Sequence, residues 1–131
     1  MGVYIRKYIR KCKHCKCIKL LYKFANAGVM KGKHYKRYEC KKCYNKIKKQ
    51  DTQIKRNWMI EYKSTLKCFI CGYHENQTAL HFHHISKKDK KHNVSDMVGR
   101  GYSITNIKKE IRKCIVLCAN CHYEYHNTNH Y

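Results

Sequence analysis

Apolar positions in this chain fall into short stretches whose period changes along its length. From Tyr44 to about Lys63, Ile47, Ile54, Trp58 and Tyr62 recur at steps of seven, four and four. Those steps lie on one helical face and predict a long helix. Lys46, Lys48, Lys49, Lys55 and Arg56 take the other positions. Ala79-Leu80-His81-Phe82-His83-His84-Ile85 alternates and predicts a strand, and Ile115-Val116-Leu117 predicts a second, shorter one. Asn93 to Val98 predicts a short helix ending near Gly99 and Gly101. Ser103 is placed to cap another helix, with Ile104, Ile107 and Ile111 on one face. A last helix is expected from Ala119 to about Asn127. Upstream of Cys43 the pattern predicts short strands with turns at Gly28 and Gly32. There is no proline and no Gly/Ser linker, so the junction between the two halves is expected to be the helix itself. The division that follows is residues 1–43, a connecting helix over 44–64, and residues 65–131.

Composition changes the picture. Leu, Ile, Val and Phe make up only 19% of the 131 residues, against a formal charge of +22. Such a balance ordinarily leaves a chain unfolded, because too little apolar surface is buried to offset chain entropy. A large apolar core is excluded. No apolar run approaches the roughly 18 residues of a membrane span, so no membrane is expected as a partner. The charge is uneven: residues 1–64 hold 20 Lys and Arg against 3 acidic residues, and residues 65–131 hold 10 against 5. A chain this basic attracts polyanions, with an affinity that falls steeply with salt. Lys48, Lys49, Lys55, Arg56, Lys87 and Lys88 are the candidate phosphate contacts. A solvated helix face or loop is the alternative for each of them.

Ten cysteines supply what the core lacks. Eight form four C-x-x-C pairs: Cys12/Cys15, Cys40/Cys43, Cys68/Cys71 and Cys118/Cys121. Met1 to Arg10 carries charges where a signal peptide would be apolar. Regular C-x-x-C spacing in a reducing compartment, the cytoplasm or the nucleus of a eukaryotic host, points to zinc rather than disulfides. Redox motifs are the alternative. Cys12, Cys15, Cys40 and Cys43 are expected to hold one structural zinc, as in a zinc ribbon. Each site of four thiolates and one Zn²⁺ carries −2, so two sites leave a charge of about +18. Cys17 is a rival to Cys15 as a ligand, and Cys114 reads as a small buried residue.

Histidines carry the remaining chemistry. His122 and His126 are four residues apart on the last predicted helix, so both rings face one side and can grip one metal. His83 and His84 are neighbours on a strand and point to opposite faces, so that one can join the metal while the other works separately. A Cys2His2 finger built from Cys118, Cys121, His122 and His126 is an alternative that leaves Cys68 and Cys71 unused.

The motifs CFICGYHENQTALHFHHISKKDK, VSDMVGRGYS and CIVLCANCHYEYH together resemble the HNH endonucleases of the ββα-metal type with a four-cysteine zinc site. The segment around YECKKCYNKIKK resembles the ribbons that precede such modules in some phage and large-virus proteins. The resemblance implies a small α+β, metal-stabilised fold: a treble-clef-like ββα-metal module preceded by a zinc ribbon and a helix. It implies His84 as general base, and His83, His122 and His126 as ligands of a catalytic divalent ion (Mg²⁺, Mn²⁺, Zn²⁺ or Ni²⁺). Cys68, Cys71, Cys118 and Cys121 would hold the structural zinc of the module. It further implies hydrolysis of DNA, double-stranded by expectation, to 5′-phosphate and 3′-hydroxyl ends. One centre nicks one strand, and a homodimer would cut both. The asparagine that the family places before the last strand is missing: the chain there reads Arg112-Lys113-Cys114. Asn93, Asn106 and a backbone carbonyl are the candidate substitutes. Two rival functions remain on sequence grounds, a zinc protein that binds nucleic acid without cutting it and a nuclease acting on RNA.

The residue types fit this chemistry without the name. An imidazole titrating near neutrality can take a proton from water. A divalent cation stabilises the charge that develops on a phosphodiester under attack. The expectation is therefore three imidazoles around one ion and a fourth, His84, free and open to solvent beside it.

Overall fold

Two local devices are used twice in this chain. A computed structural model describes residues 8–128; the expectations resting on Met1–Lys7 and Asn129–Tyr131, including most of the N-terminal charged run and the ends of the outer segments, lie outside the described residues. In the first device a C-x-x-C turn closes on itself. The amide of Lys16 donates to Cys12 O at 3.0 Å and that of Cys12 to Cys17 O at 2.9 Å. The amide of Gly72 likewise donates to Cys68 O at 3.0 Å and that of Cys68 to Tyr73 O at 2.8 Å. Lys16 and Gly72 occupy the same place in the two turns and both have left-handed backbone, φ 60° and 74°. In the second device a strand ends on a cysteine and a helix starts on the next residue, as at Cys40/Lys41 and Cys118/Ala119.

The chain forms two compact units, Met1–Gln50 and Asp51–Tyr131. In the first, β1 (Ile9–Lys11) pairs antiparallel with β2 (Ile18–Leu20), and β3 (Phe24–Met30) with β4 (Lys33–Cys40). Its buried cluster is Cys12, Phe24 and Cys40, with Cys43 packed against it. Such a core holds a fold only with a further cross-link. Arg10 ties β1 to β4 by donating from Nη1 to the carbonyls of Lys36 and Arg37, both at 2.9 Å. Gly32 (φ 74°) forms the β3–β4 turn with Lys31 (φ 49°), a pair of left-handed residues that suits a two-residue hairpin. Gly28 is not a turn residue. It lies within β3 beside a register shift, at φ 137°, where glycine accommodates the bulge.

Helix α1 (Lys41–Ser64) runs through the division between the units, so the expected boundaries near 43 and 64 lie at its ends and the division falls inside it. It begins within the Cys40/Cys43 pair rather than after it. Its packed face also differs from the one expected. Ile47 and Ile54 are exposed, whereas Trp58, Met59 and Tyr62 pack on the second unit's core. Lys55 completes that face as a buried residue.

The second unit contains β5 (Leu80–His84), α2 (Val94–Arg100), α3 (Ile104–Ile111), β6 (Cys114–Cys118) and α4 (Ala119–Thr128). β5 and β6 pair antiparallel, Leu80 opposite Cys118 and His84 opposite Cys114. Ser103 precedes α3 as expected, its Oγ accepting from the Asn106 amide at 3.2 Å, and α2 starts one residue later than expected, with Asn93 as the residue before it. Gly101 (φ 84°) closes α2 with its N–H on Met97 O and Val98 O. One buried cluster joins Leu80 and Leu117 to Cys68, Cys118 and Cys121. The other joins Val94, Met97 and Val98 to Ile107 and Ile111, with Phe82 and the face of α1 packed against it. Ile107 is fully buried. Ile107→Ala is expected to cost about 2–5 kcal/mol of stability, measured by urea unfolding of the zinc-loaded protein. The result is a small α+β protein made of two-stranded sheets and helices. Among the described residues, no helix is long and apolar enough to cross a membrane.

Candidate functional site

The structure gathers three donor groups, and within each the donor atoms lie within 4.8 Å of one another: Cys12, Cys15, Cys40 and Cys43; Cys68, Cys71, Cys118 and Cys121; and His83, His122 and His126. Cys17 is outside the first group; its Sγ lies 3.4 Å from Cys15 O. Cys114 is half-buried against the second core, and burial pushes its thiol up to about 11. The grouping separates Cys118 and Cys121 from His122 and His126, which is not the arrangement of a Cys2His2 finger.

Both cysteine groups fit zinc. Thiolates about 2.3 Å from a tetrahedral ion stand about 3.8 Å apart, and the Cys15–Cys40 and Cys71–Cys118 sulfurs are 4.0 and 3.7 Å apart. The electrostatics ask for a cation. The amide of Cys40 donates to Cys12 Sγ at 3.3 Å and is the main reason that thiol is lowered to about 6. Cys68 is also lowered to about 6: burial opposes ionisation, but the amides of Cys71, Cys118 and Ile70 outweigh it. Cys121 is pushed strongly upward by burial and by the neighbouring sulfurs. Four thiols so close cannot all ionise without a positive charge among them. Lys19 Nζ, 3.5 Å from Cys40 Sγ, adds one at the edge of the first group.

Strand alternation sorts the histidines. His81 and His83 share one face of β5. His83 meets His122, Tyr125 and His126 edge-on, at ring separations of 5.2, 4.8 and 4.8 Å. His81 stacks on His122 at 5.3 Å. The pair His122/His126 is brought together at 4.7 Å by the i, i+4 spacing on α4. Burial first, then the neighbouring His126 and His122, lower the pKa of His83; burial first, then His126 and His81, lower that of His122. Neutral imidazole is the form that ligates metal.

Phe82 and His84 face the other way, Phe82 towards Tyr62 at 6.5 Å and His84 towards α3. The expectation of a free, solvent-open His84 is corrected here. Its Nε2 lies 2.9 Å from Glu110 Oε1, and only 7% of its side chain is exposed. The ring's hydrogen-bond partner is Glu110, not Asn93 or Asn106. That carboxylate also accepts the amide of Lys91 at 2.8 Å and the ammonium of Lys113 at 2.8 Å. Burial opposes its ionisation, but the bonds from Lys113, Lys91 and His84 outweigh this and hold it at about 2.

The five histidines 81, 83, 84, 122 and 126 line one cleft of about 840 Å³. Arg56, Lys63, Lys87 and Lys90 bring positive charge to its walls, while Met59, Ile60 and Val98 make part of it apolar. Lys63 is tied down, donating to Leu80 O at 2.7 Å. One candidate phosphate contact is corrected. Lys55 is buried, paired with Asp51 and within reach of Gly101 O at 3.4 Å, so its charge is not offered to a ligand. Lys88 borders a separate shallow depression with Asp89, Lys91 and Lys113. Lys48 and Lys49 are exposed on the part of α1 that belongs to the first unit.

Compared with models of protein families, with curated proteins and with solved structures, the chain matches none. The class defined by its own geometry is a small α+β protein with two four-cysteine clusters that could bind zinc.

Proposed function

We propose that the protein is a metal-dependent endonuclease of the ββα-metal, HNH type that hydrolyses phosphodiester bonds in DNA. The observation that carries this reading is the three-imidazole group at a basic cleft, with a fourth imidazole on the next strand position lining the same cleft. The antiparallel pair β5/β6, with α2 and α3 between its strands and α4 after it, supports the same reading, since two strands and a helix are what the sequence resemblance implies. The donor set fits a divalent ion: all three rings are close enough to converge on one centre, and two are held towards their neutral form.

His83, His122 and His126 would hold that ion. Bound there, it would supply positive charge beside the scissile phosphate and the departing oxygen. His84 takes a proton from water as the water oxygen bonds to phosphorus. The P–O3′ bond breaks, and O3′ is protonated from solvent. The products are 5′-phosphate and 3′-hydroxyl ends. Arg56, Lys87 and Lys90 position the strand through its phosphates. One such centre nicks one strand, and double-strand cleavage calls for a dimer.

The test is supercoiled plasmid incubated with the protein and Mg²⁺, Mn²⁺, Zn²⁺ or Ni²⁺. Nicked product that disappears with EDTA and in His122→Ala supports the nuclease. Retarded but intact plasmid with every metal overturns it in favour of a zinc protein that binds without cutting. Cleavage of RNA but not of plasmid overturns the choice of substrate. In the same assay format, Lys87→Ala and Lys90→Ala should each weaken DNA binding irrespective of sequence. Each should also lower the slope of log affinity against log salt by about one.

A further inference from the structure

We propose that Glu110 is a positioning residue for the reaction: its carboxylate fixes the tautomer and orientation of His84, so that Nδ1 is the nitrogen presented to water. This deepens the nuclease reading and rests on His84 being the base.

The argument starts from the carboxylate. Glu110 is one of only eight acidic residues in a chain of +22, and it is 3% exposed. A buried acid on α3, between Ile107 and Ile111, is costly unless it is fully bonded. It is: Lys113 Nζ donates to Oε2, and the Lys91 amide and the His84 ring reach Oε1. Held ionised by these contacts, the carboxylate can only accept hydrogen bonds. The hydrogen at the 2.9 Å contact therefore belongs to His84 Nε2. A neutral imidazole with its hydrogen on Nε2 has its lone pair on Nδ1.

The same contact sets the ring plane. Glu110 sits on α3 and is locked by Lys113, three residues further on, and by the loop amide of Lys91. The ring is anchored from a rigid element and cannot turn without breaking the bond. When Nδ1 takes a proton from water, the ring becomes an imidazolium, and the negative charge already in place at Glu110 stabilises it. A carboxylate that only glued the 85–92 loop to α3 would need the Lys91 and Lys113 bonds alone. The bond to His84 adds nothing to that task.

The decisive measurement is the histidine side-chain ¹⁵N spectrum of the zinc-loaded protein, at a pH where imidazoles are neutral. The His84 resonances are assigned by their absence in His84→Ala. In the wild type His84 should be the Nε2–H tautomer. Glu110→Gln has the same shape but can donate as well as accept. It should populate the other tautomer and lower kcat by about 10²-fold or more with KM within about threefold. Glu110→Asp, which keeps the charge, should recover part of that loss. An Nδ1–H tautomer in the wild type overturns the proposal even if Glu110→Gln fails to fold. So does a Glu110→Gln protein with wild-type kcat and an unchanged His84 tautomer. If His84→Ala cleaves as fast as the wild type, the base reading falls, and the positioning role falls with it. If His84→Ala is inactive but the wild-type tautomer is Nδ1–H, the positioning role alone is lost.

Discussion

Stripping zinc from the Asp51–Tyr131 unit, or replacing Cys118 by serine, should unfold that unit outright. Its first buried cluster has five members, and three of them, Cys68, Cys118 and Cys121, belong to the four-cysteine group. Removing the ion leaves thiols whose ionisation states conflict, and the strand, knuckle and helix are then held together only by the small Leu80/Leu117 cluster and its half-buried neighbours. Structural zinc contributes about 10–16 kcal/mol of folding free energy in small domains, as much as or more than the roughly 5–15 kcal/mol by which domains are stable at all. The expected result is loss of helical circular dichroism and of the cooperative melt on chelation, both restored by one zinc per cluster. Trp58, the sole tryptophan, packs on the second core and should report the same transition by fluorescence. Cys17→Ser should change none of this, because Cys17 stands outside the group. A chelated protein that melts at the holo temperature would show that the clusters do not hold the fold.

His84→Ala should reduce plasmid nicking by about 10²–10⁴-fold, the usual contribution of a general base. Zinc content and DNA affinity should be unchanged, while the melting temperature should fall modestly because the buried Glu110 carboxylate loses one of its hydrogen bonds. The ring lies outside both cysteine groups and outside the His83/His122/His126 group, so its loss removes no donor. The contrast is His126→Ala, which takes away one of three donors and should raise the divalent concentration needed for cleavage. His81→Ala is the control: it stacks on His122 but belongs to no donor group, so its activity should stay within the wild-type order of magnitude. Nicking by His84→Ala at the wild-type rate would remove the base from the mechanism.

The sequence made some of this legible and hid the rest for identifiable reasons. C-x-x-C spacing is local chemistry, so the membership of both cysteine groups could be read directly. The i, i+4 spacing on α4 likewise gave His122 and His126, and the alternation of β5 separated His83 from His84, but the choice of His83 as the third member came from the family resemblance. The packed face of α1 could not be read, because a lysine stands where an apolar residue is expected. Buried Lys55 is paired with Asp51, one helical turn earlier, and reaches Gly101 O, a partner distant in sequence. Glu110 was missed for a related reason. Its one visible sign was an acid on the same helical stripe as Ile107 and Ile111, and its partners His84 and Lys91 are distant in sequence. Within the charge run, Lys87 and Lys90 line the cleft and Lys88 lines a separate depression, a sorting set by the loop's path and not by composition.

The repeated join between a strand, a cysteine pair and a helix has a consequence for how this small chain divides its labour. In both units the residue just after the last cysteine and the one four further on ride the same stripe of the emerging helix. In the second unit they are His122 and His126; in the first they are Tyr44, under the guanidinium of Arg37 at 4.9 Å, and Lys48. One pedestal thus carries donors for a cation and its twin carries a ring and a cation of its own. The cysteines and a few buried apolar neighbours set the scaffold, which leaves the outward positions of the pedestal open to take on a different trade.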